Sequence, residues 1–371
     1  MELKEYRFDE VTINFDKKRV PLSGAQREKR QGNFRYYGAQ GVIDHIDDFI
    51  FDGTYLLIAE DGENLKSKKQ NIAQVVEGQF WVNNHAHIVQ GNELCNTRYL
   101  CYLLNSMDLS GYVTGSAQPK LSQANLNAVT LFLPSITVQE RIVECLYLFD
   151  KKIAVNQKIN DNLQQQAAAL FSSLYDRSNT EVGFTDLIQI LGGGTPKTGE
   201  NTYWNGNIAF FTPKDVGTPY TLITEKTISK EGLSHCNSRL YPVNTVFVTA
   251  RGTVGKVGMS GVPMAMNQSC YALVGKETHQ LLVYFYTLKA VDRLKHKASG
   301  AVFDAITTRD FESEQIMKLS DDDATAFLRV AEPMFQEVLN NNIENLRLST
   351  LRDSLLPKLM SGEIDVSAVQ L

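Results

Sequence analysis

The chain of 371 residues has few cysteines and no local cysteine pattern. They are odd in number, lie far apart and include no Cys-x-x-Cys pair, so neither a zinc knuckle nor a disulfide framework is predicted. We interpret them as reduced, mostly packed thiols: Cys95, Cys101, Cys145, Cys236 and Cys270. The only close histidine pair, His85 and His87, lacks a matching Cys or carboxylate pattern, and we predict no metal site.

Long hydrophobic runs are missing as well. No stretch of about 18 apolar residues occurs, and Met1 is not followed by a basic segment and an apolar core. We therefore expect no membrane span, no secretion signal and a cytoplasmic location.

Several catalytic motifs are also absent. Pro-Pro, which the catalytic loop of a base methyltransferase needs, occurs nowhere, and Gly252–Val257 has the wrong spacing for a nucleotide-binding P-loop. Neither Gly-x-Ser-x-Gly nor His-Glu-x-x-His is present. The glycine-rich segment Gly192–Gly199 fits either a phosphate cradle or a loop entering the strands of the second half. A solitary enzyme is disfavoured, and we predict neither a catalytic residue nor a cofactor in this chain.

The charge balance lacks the basic excess usual for a nucleic-acid binder, since the net charge is -5. Residues 320–371, however, carry nine acidic and four basic side chains and account for that excess. Between positions 16 and 35, seven cations face only Asp16 and Glu28. At physiological salt, charges more than about 8 Å apart are largely screened from each other. The charge of the surface that faces the phosphates therefore matters more than the net charge of the chain, and DNA binding is not excluded.

The two halves of the chain repeat each other. Gly115–Ser122 returns loosely as Gly300–Thr307, an offset of 185, and the apolar strand and glycine turn Leu56–Gly62 return as Val246–Gly252, an offset of 190. Such a repeat predicts two similar structural units.

A heptad seam closes each half. Apolar residues and two asparagines recur at 3,4 spacing, and adding 185 to the first set gives the second, with Ala331 as the counterpart of Leu146. The predicted seam residues are Ile142, Leu146, Phe149, Ile153, Asn156, Asn160, Leu163, Phe327, Met334, Val338, Asn341, Asn345 and Leu348. Recurring seam asparagines are typical of devices that set helix register, so we favour two paired helices over two amphipathic helices that each pack on their own domain.

Short β-rich runs broken by Gly, Asn, Asp and Pro precede each helix and predict strand-dominated globules. The predicted fold is α+β, with two pseudo-symmetric strand-rich domains carrying small helices, separated by two long antiparallel coiled-coil-like helices. Its predicted boundaries are 1–136, 137–177, 178–319 and 320–371. Thr137 with Glu140, and Ser320 with Asp323, are typical helix-start signals.

Cations beside aromatic rings or in predicted turns, together with nearby amides, favour binding to duplex DNA. Each of them also fits an ordinary solvated surface. The candidate DNA-binding residues are Lys29, Arg30, Arg35, Tyr36, Tyr37, Lys66, Lys68, Lys69, Asn83, Asn84, His85, Lys120, Lys197, Tyr203, Trp204, Lys214, Arg251, Lys256, Asn267 and Gln268.

Four segments of the helical regions resemble the specificity subunits of type I restriction-modification systems: Leu133–Ile142 (LPSITVQERI), Phe149–Asn160, Ala169–Ser172 and Leu351–Ile364. The opening of the second globule, Gly193–Lys197 followed by Tyr203–Gly206, resembles the start of a target recognition domain in that family.

The resemblance implies a noncatalytic DNA specificity subunit. Each globule would read one half of a bipartite double-stranded DNA target, and the helices would act as a ruler and as the docking site for two modification subunits. S-adenosylmethionine, ATP and Mg would belong to those modification subunits and to separate restriction subunits. The alternative is a coiled-coil scaffold that presents two protein- or carbohydrate-binding globules.

Overall fold

The computed structural model describes residues 2–67, 70–115, 118–217, 219–297 and 305–366. The chain divides into two compact units: unit 1 comprises Met1–Lys151 and Leu348–Leu371, and unit 2 comprises Lys152–Arg347. Each unit has a strand-rich part and a portion of each of two long helices. The predicted mixed fold, with two strand-rich domains and two long helices, is confirmed.

The first half of the chain contains eight strands among its described residues: β1 (Lys4–Arg7), β2 (Thr12–Asn14), β3 (Gln31–Gly38), β4 (Gly41–Ile46), β5 (Phe51–Ala59), β6 (Ala73–Val82), β7 (Ala86–Gly91) and β8 (Thr130–Leu133). Its helices are α1 (Gly24–Glu28), α2 (Asn64–Ser67), α3 (Thr97–Ser106), α4 (Gln123–Asn127) and the long α5 (Ile136–Arg177). Because α5 begins at Ile136, Thr137 lies inside the first turn and not at its predicted start.

The second half continues with β9 (Thr180–Gly183), β10 (Ile188–Gly192), β11 (Trp204–Phe211), β12 (Tyr220–Thr221), β13 (Lys226–Ile228), β14 (Val246–Thr249), β15 (Val257–Ser260), β16 (Met264–Met266), β17 (Cys270–Gly275) and β18 (Gln315–Lys318). Its helices are α6 (Phe184–Leu187), α7 (Lys230–Ser234), α8 (Gln280–Lys297), α9 (Thr308–Glu312) and the long α10 (Asp321–Ser361). The predicted start of α10 is present, since the Asp323 amide donates to Ser320 Oγ at 3.1 Å.

The sheets of the two units share part of their pairing pattern. Unit 1 has a six-stranded sheet in the order β2-β7-β5-β6-β3-β4 and a separate pair, β1-β8. Unit 2 has a five-stranded sheet, β10-β17-β14-β15-β12, a three-stranded sheet, β13-β11-β16, and the pair β18-β9. A parallel pairing occurs at a corresponding place in both units, β3 with β6 and β11 with β16, and unit 2 has a second one, β12 with β15.

Equivalent residues occupy equivalent registers in this repeat. Leu57 pairs with Ile88 across β5 and β7, and Phe247 pairs with Ala272 across β14 and β17. The amides of Phe8 and Phe184, both buried, donate to the carbonyls of Val129 and Glu314 at 2.9 Å. The duplication inferred from the sequence is therefore present in the backbone hydrogen bonds.

Within unit 2, α5 and α10 pack against each other in antiparallel fashion. Phe171 of α5 and Phe327 of α10 make an edge-to-face contact at 5.5 Å in the same core as Val338, and Arg177 pairs with Asp323 at 2.6 Å. This core also receives most of α8. In unit 2 the two helices thus contact each other and also pack on the core of the domain. Pairing of the helices and packing on a domain, which the sequence left as alternatives, therefore both occur.

Unit 1 contains the other ends of the same two helices. Ile142, Leu146 and Leu359 share a buried core with the sheet and α3. Arg352 of α10 donates from Nη1 to Asp150 of α5 at 2.5 Å. Tyr102 of α3 also donates its hydroxyl to Asp150. Arg352 is therefore neutralised by a carboxylate where the two helices meet in unit 1.

Candidate nucleic-acid interface

Three segments meet at one end of the sheet in each unit, and we call each set a turn cluster. In unit 1 it comprises Glu60–Gly62, Asn83–His85 and Lys120–Leu121. In unit 2 it comprises Ala250–Gly252, Asn267–Ser269 and Ala305–Ile306. In unit 1 the first two segments follow β5 and β6, and the third lies just before α4. In unit 2 the first two follow β14 and β16, and the third lies just before α9.

Corresponding backbone hydrogen bonds hold the two turn clusters. In unit 1 they run from Glu60 N to His85 O (2.9 Å), from Leu121 N to Glu60 O (2.8 Å) and from Asn83 N to Tyr37 O (3.0 Å). In unit 2 they run from Ala250 N to Ser269 O (2.8 Å), from Ile306 N to Ala250 O (2.9 Å) and from Asn267 N to Phe211 O (3.0 Å). The residue numbers of the corresponding donors and acceptors differ by 174 to 190 between the two units. The same backbone hydrogen-bond arrangement, which we call the backbone frame, is therefore present twice.

The asparagines predicted from sequence begin equivalent turns. Asn83 Oδ1 accepts from the His85 amide at 2.8 Å, and Asn267 Oδ1 accepts from the Ser269 amide at 3.0 Å. Asparagine closes such turns with its own side chain. One face of each amide is therefore used locally, and these two residues shape the turns at the site.

A charge network holds the turn cluster of unit 1 against the sheet. Glu60 accepts from Arg19 at 3.1 Å and from Lys120 at 3.2 Å. Buried His87 contacts Asp16 through Nδ1 at 2.6 Å and the Leu121 carbonyl through Nε2 at 2.8 Å. Since both of these partners accept hydrogen bonds, both ring nitrogens must donate, and the ring is an imidazolium.

The protonation of this network follows from its contacts. Burial disfavours charge on His87, but its hydrogen bonds to Asp16 and to the Leu121 carbonyl outweigh burial and raise the pKa of His87. Burial likewise opposes charge on Asp16, yet hydrogen bonds from His87 and the Ile88 amide hold the pKa of Asp16 below its usual value. His87 and Asp16 therefore form a buried ion pair under the turn cluster.

The outer side chains of the two turn clusters differ. In unit 1, Asp61 Oδ2 lies 2.7 Å from His85 Nδ1, and both side chains are partly exposed. In unit 2 the position equivalent to Asp61 is Arg251, which is exposed beside a cleft of about 400 Å³. Lys214, Lys226 and Asn267 also line this cleft. Asp61 is not among the candidates predicted from sequence, although its offset of 190 from Arg251 in the repeat marks the position.

Several predicted contacts of unit 1 lie in the fold rather than at the turn cluster. Tyr36 and Tyr37 are buried, so a DNA-contacting role does not fit them. The Arg35 guanidinium donates to the Glu77 carbonyl, and Arg30 pairs with Asp47 while stacking on Trp81. These cations are engaged with the protein, which the sequence could not show because their partners lie far along the chain.

The other candidates of unit 1 lie near the surface. Lys29 is exposed at the end of α1, and Lys66 donates to the Gly115 carbonyl at 2.9 Å. Asn84 is exposed in the turn cluster between Asn83 and His85. Lys68 and Lys69 fall outside the described residues.

In unit 2 the predicted residues form two groups. Lys214, Arg251, Asn267 and Gln268 lie at the cleft or in the turn cluster, with exposed Lys256 closing the same hairpin. Lys197, Tyr203 and Trp204 form a separate group: the indole of Trp204 donates to the Lys197 carbonyl at 3.2 Å, and Tyr203 stacks on His235.

The glycine-rich segment packs against the turn cluster. The Gly194 amide donates to the Met266 carbonyl at 3.1 Å, and a Cβ on Gly193 would lie 2.2 Å from the Asn267 carbonyl oxygen. The Gly194 amide is therefore not free to bind a phosphate. The structure favours the reading of this segment as a loop that enters the strands.

The predicted seam residues all lie on covered faces of α5 and α10, since none is among the exposed positions. The seam asparagines form a polar layer in unit 2. Asn156 donates to Asn345 at 2.9 Å and to Glu344 at 2.7 Å, and Asn160 donates to Asn342 at 2.9 Å. Lys152 adds an ion pair with Glu344 at 3.3 Å.

Neither a metal-binding cluster nor a membrane-spanning helix occurs in the described ranges. No group of three or more His, Cys, Asp or Glu side chains is placed there to hold a metal ion. In the same residues, no helix has an apolar stretch long enough to cross a membrane.

A family profile described as "Type I restriction modification DNA specificity domain" matches residues 2–165 and again residues 179–318. The chain belongs to this family. One match begins in each half, which agrees with the duplicated backbone frame. The specificity-domain family thus accounts for both strand-rich parts of the chain.

Individual relatives of this chain are named as type I restriction enzyme specificity subunits. The HindI specificity subunit of Haemophilus influenzae is 23% identical over a 402-residue alignment that covers 84% of each chain. S.HindORF215P of the same organism, provisionally named a type I restriction enzyme specificity subunit, is 35% identical over 138 residues, which is 37% of this chain and 35% of that protein. The crystal structure of the S subunit of a type I restriction-modification system from M. genitalium matches with a TM-score of 0.60 at 13% identity, covering 97% of this chain and 96% of that chain. This last likeness is one of fold.

Proposed function

We propose that this chain is the noncatalytic subunit that selects the DNA sequence in a type I restriction-modification complex. The observation that carries the proposal is the double match to a DNA specificity domain, once over each strand-rich part. In this assignment, residues 1–136 and 178–319 are target recognition domains, and residues 137–177 and 320–371 are spacer helices. Each recognition domain reads one half of a bipartite duplex target in the cytoplasm.

The paired helices act as the ruler between the two half-sites in this proposal. The seam residues predicted from sequence are assigned to their contact, and the asparagine layer in unit 2 supports a fixed register because its hydrogen bonds join particular partners. The same helices offer docking faces to two modification subunits. S-adenosylmethionine, with ATP and Mg, is assigned to those modification subunits and to separate restriction subunits.

Phosphate and base contacts are assigned to exposed candidates at the turn clusters or the adjoining cleft and hairpin, namely Asn84, His85, Lys120, Lys214, Arg251, Lys256 and Gln268, together with half-buried Asn267. Exposed Lys29 at the end of α1 is assigned a separate phosphate contact. Lys197, Tyr203 and Trp204 form a second contact region of unit 2. Cations that reach phosphates release counterions, so affinity should depend steeply on salt.

Methylation sequencing tests this function in cells that carry the chain with its modification subunits. The expected result is one bipartite methylated motif that disappears when the chain is omitted, and no methyl transfer by the purified chain alone. Methyl transfer by the isolated chain would contradict the noncatalytic assignment.

A salt titration of DNA binding by the assembled complex separates this function from the scaffold alternative. Between 50 and 200 mM salt, a protein making six to ten phosphate contacts loses affinity by about a thousandfold or more. No DNA affinity in the complex, or an affinity that salt leaves unchanged, would favour a scaffold that presents protein- or carbohydrate-binding globules.

A further inference from the structure

The two turn clusters share a backbone frame but carry opposite charges at the same place. The isolated β-bridge of the cluster joins Asp61 to Lys120 in unit 1 and Arg251 to Ala305 in unit 2. Gly62 and Gly252 follow with positive φ angles of 123° and 81°, which L side chains adopt rarely. The frame therefore fixes where these side chains begin, while the side chains themselves differ.

Arg251 is positioned as a free donor. It is exposed, and its guanidinium has no hydrogen bond or ion pair with any described residue. Lys214, whose side chain is 81% exposed, and Asn267 line the same cleft. A planar guanidinium with five donors matches the two acceptors, O6 and N7, that guanine presents in the major groove.

Asp61 is positioned as a free acceptor. His85 holds its Oδ2 at 2.7 Å, which leaves Oδ1 without a hydrogen-bond partner in the described part of the chain. Carboxylates accept hydrogen bonds from exocyclic amino groups of bases, as on cytosine N4. Such a contact carries sequence information that a phosphate contact does not carry.

The surroundings of Asp61 allow DNA to approach despite its negative charge. The carboxylates of Asp16 and Glu60 are balanced by the imidazolium of His87 and the guanidinium of Arg19. Lys120, 56% exposed, adds a cation that offsets Asp61. The cluster is thus close to neutral as a whole and presents one outward acceptor.

We propose that the two domains read bases with opposite polarity: Arg251 donates to a guanine in one half-site, and Asp61 accepts from an exocyclic amino group of a base in the other. The assignment rests on the proposed function and adds the base chemistry that each turn cluster recognises. His85 is a positioning residue that orients the Asp61 carboxylate.

The test uses the complex with its modification subunits and compares methylated motifs. For Arg251→Ala, one guanine position in one half-site should lose its preference by on the order of ten- to a hundredfold in methylation rate, with the other half-site unchanged. Arg251→Lys keeps the charge but not the planar fork, and should also relax that position. Asp61→Asn, which keeps the size, should relax one position in the opposite half-site.

Matched controls are Arg239→Ala, an exposed arginine of unit 2, and Asp52→Asn, an exposed aspartate of unit 1, and both should leave the motif unchanged. Assembly of each variant with the modification subunits is checked by size-exclusion chromatography. The inference is overturned if Arg251→Ala weakens methylation of all sequences equally, as a phosphate contact would, or leaves the motif unchanged. A wild-type complex without a bipartite motif would instead defeat the proposed function.

Discussion

Asn341 of α10 donates a side-chain hydrogen bond from Nδ2 to Oδ1 of Asn160 on α5 at 2.8 Å, and both residues are buried. The contact lies in a polar layer bordered by apolar packing of the same two helices. A shift of one helix along the other would separate these partners and leave buried amides without hydrogen bonds, which is costly. The layer therefore favours one register of the pair.

A double-mutant cycle on this contact tests that role. Asn341→Leu alone should destabilise unit 2 by about 1–3 kcal/mol, because it leaves buried Asn160 Oδ1 without its donor. Asn160→Leu combined with Asn341→Leu should recover part of the loss, since both polar groups are then replaced by apolar ones. Urea unfolding followed by Trp204 fluorescence, in a Trp81→Phe background, measures unit 2. Additive losses in the double variant would show that the two amides are not coupled.

The ion pair of His87 and Asp16 predicts how the stability of unit 1 depends on pH. The pKa of His87 is raised in the folded state, so its stabilising contribution is fully present below about pH 6.5 and is lost as the pH rises through the raised value. The pKa of Asp16 is lowered, so its contribution is present above about pH 3.8 and is lost as the pH falls through the lowered value. Other groups near the ring are Glu60 and Arg19.

The measurement is urea unfolding of unit 1 between pH 5.5 and 9, followed by Trp81 fluorescence in a Trp204→Phe background. The free energy of unfolding should fall across this range for the wild-type chain. His87→Gln should flatten the dependence, because no imidazolium then forms. A free energy that rises with pH in the wild-type chain would contradict the assigned charge.

Gly193 is predicted to be required for packing. In Gly193→Ala the new Cβ would meet backbone oxygens of Met266 and Asn267 at 2.6 and 2.2 Å, and neither can move as a side-chain end would. We expect a loss of about 1–3 kcal/mol in the stability of unit 2, typical of overpacking. Gly199→Ala is the matched control, since nothing lies within 4 Å of its Cβ. Thermal unfolding compares them, and equal melting temperatures would rule out the packing role.

The ruler proposal predicts the effect of removing one heptad from each helix. Deleting residues 149–155 and 346–352 keeps the 3,4 spacing of both seams and shortens each helix by about 10 Å. The gap between methylated half-sites should shrink by about three base pairs, at about 3.4 Å per base pair. Deleting the heptad from α5 alone mismatches the seam and should abolish methylation. A paired deletion that leaves the gap unchanged would refute the ruler.

The sequence was sufficient for features encoded by local periodicity. The heptad spacing predicted two long helices, which are present as Ile136–Arg177 and Asp321–Ser361. Asn83 and Asn267, 184 positions apart, begin equivalent turns in the two halves. These features could be predicted because hydrophobic period and turn chemistry act over a few neighbouring residues. The polar turns at the candidate site were also found this way.

The sequence by itself determined that the chain is a duplicated, strand-rich protein with two helical seams, because each of those patterns depends on residues that are close together in the sequence. Only the tertiary structure decided which cations are free: Arg35 and Lys66 are held by distant carbonyls, whereas Arg251 is unengaged among the described residues. It also buried Tyr36 and brought His87 to Asp16, 71 positions away. Charge and burial at a site depend on partners far along the chain, and no local pattern specifies them.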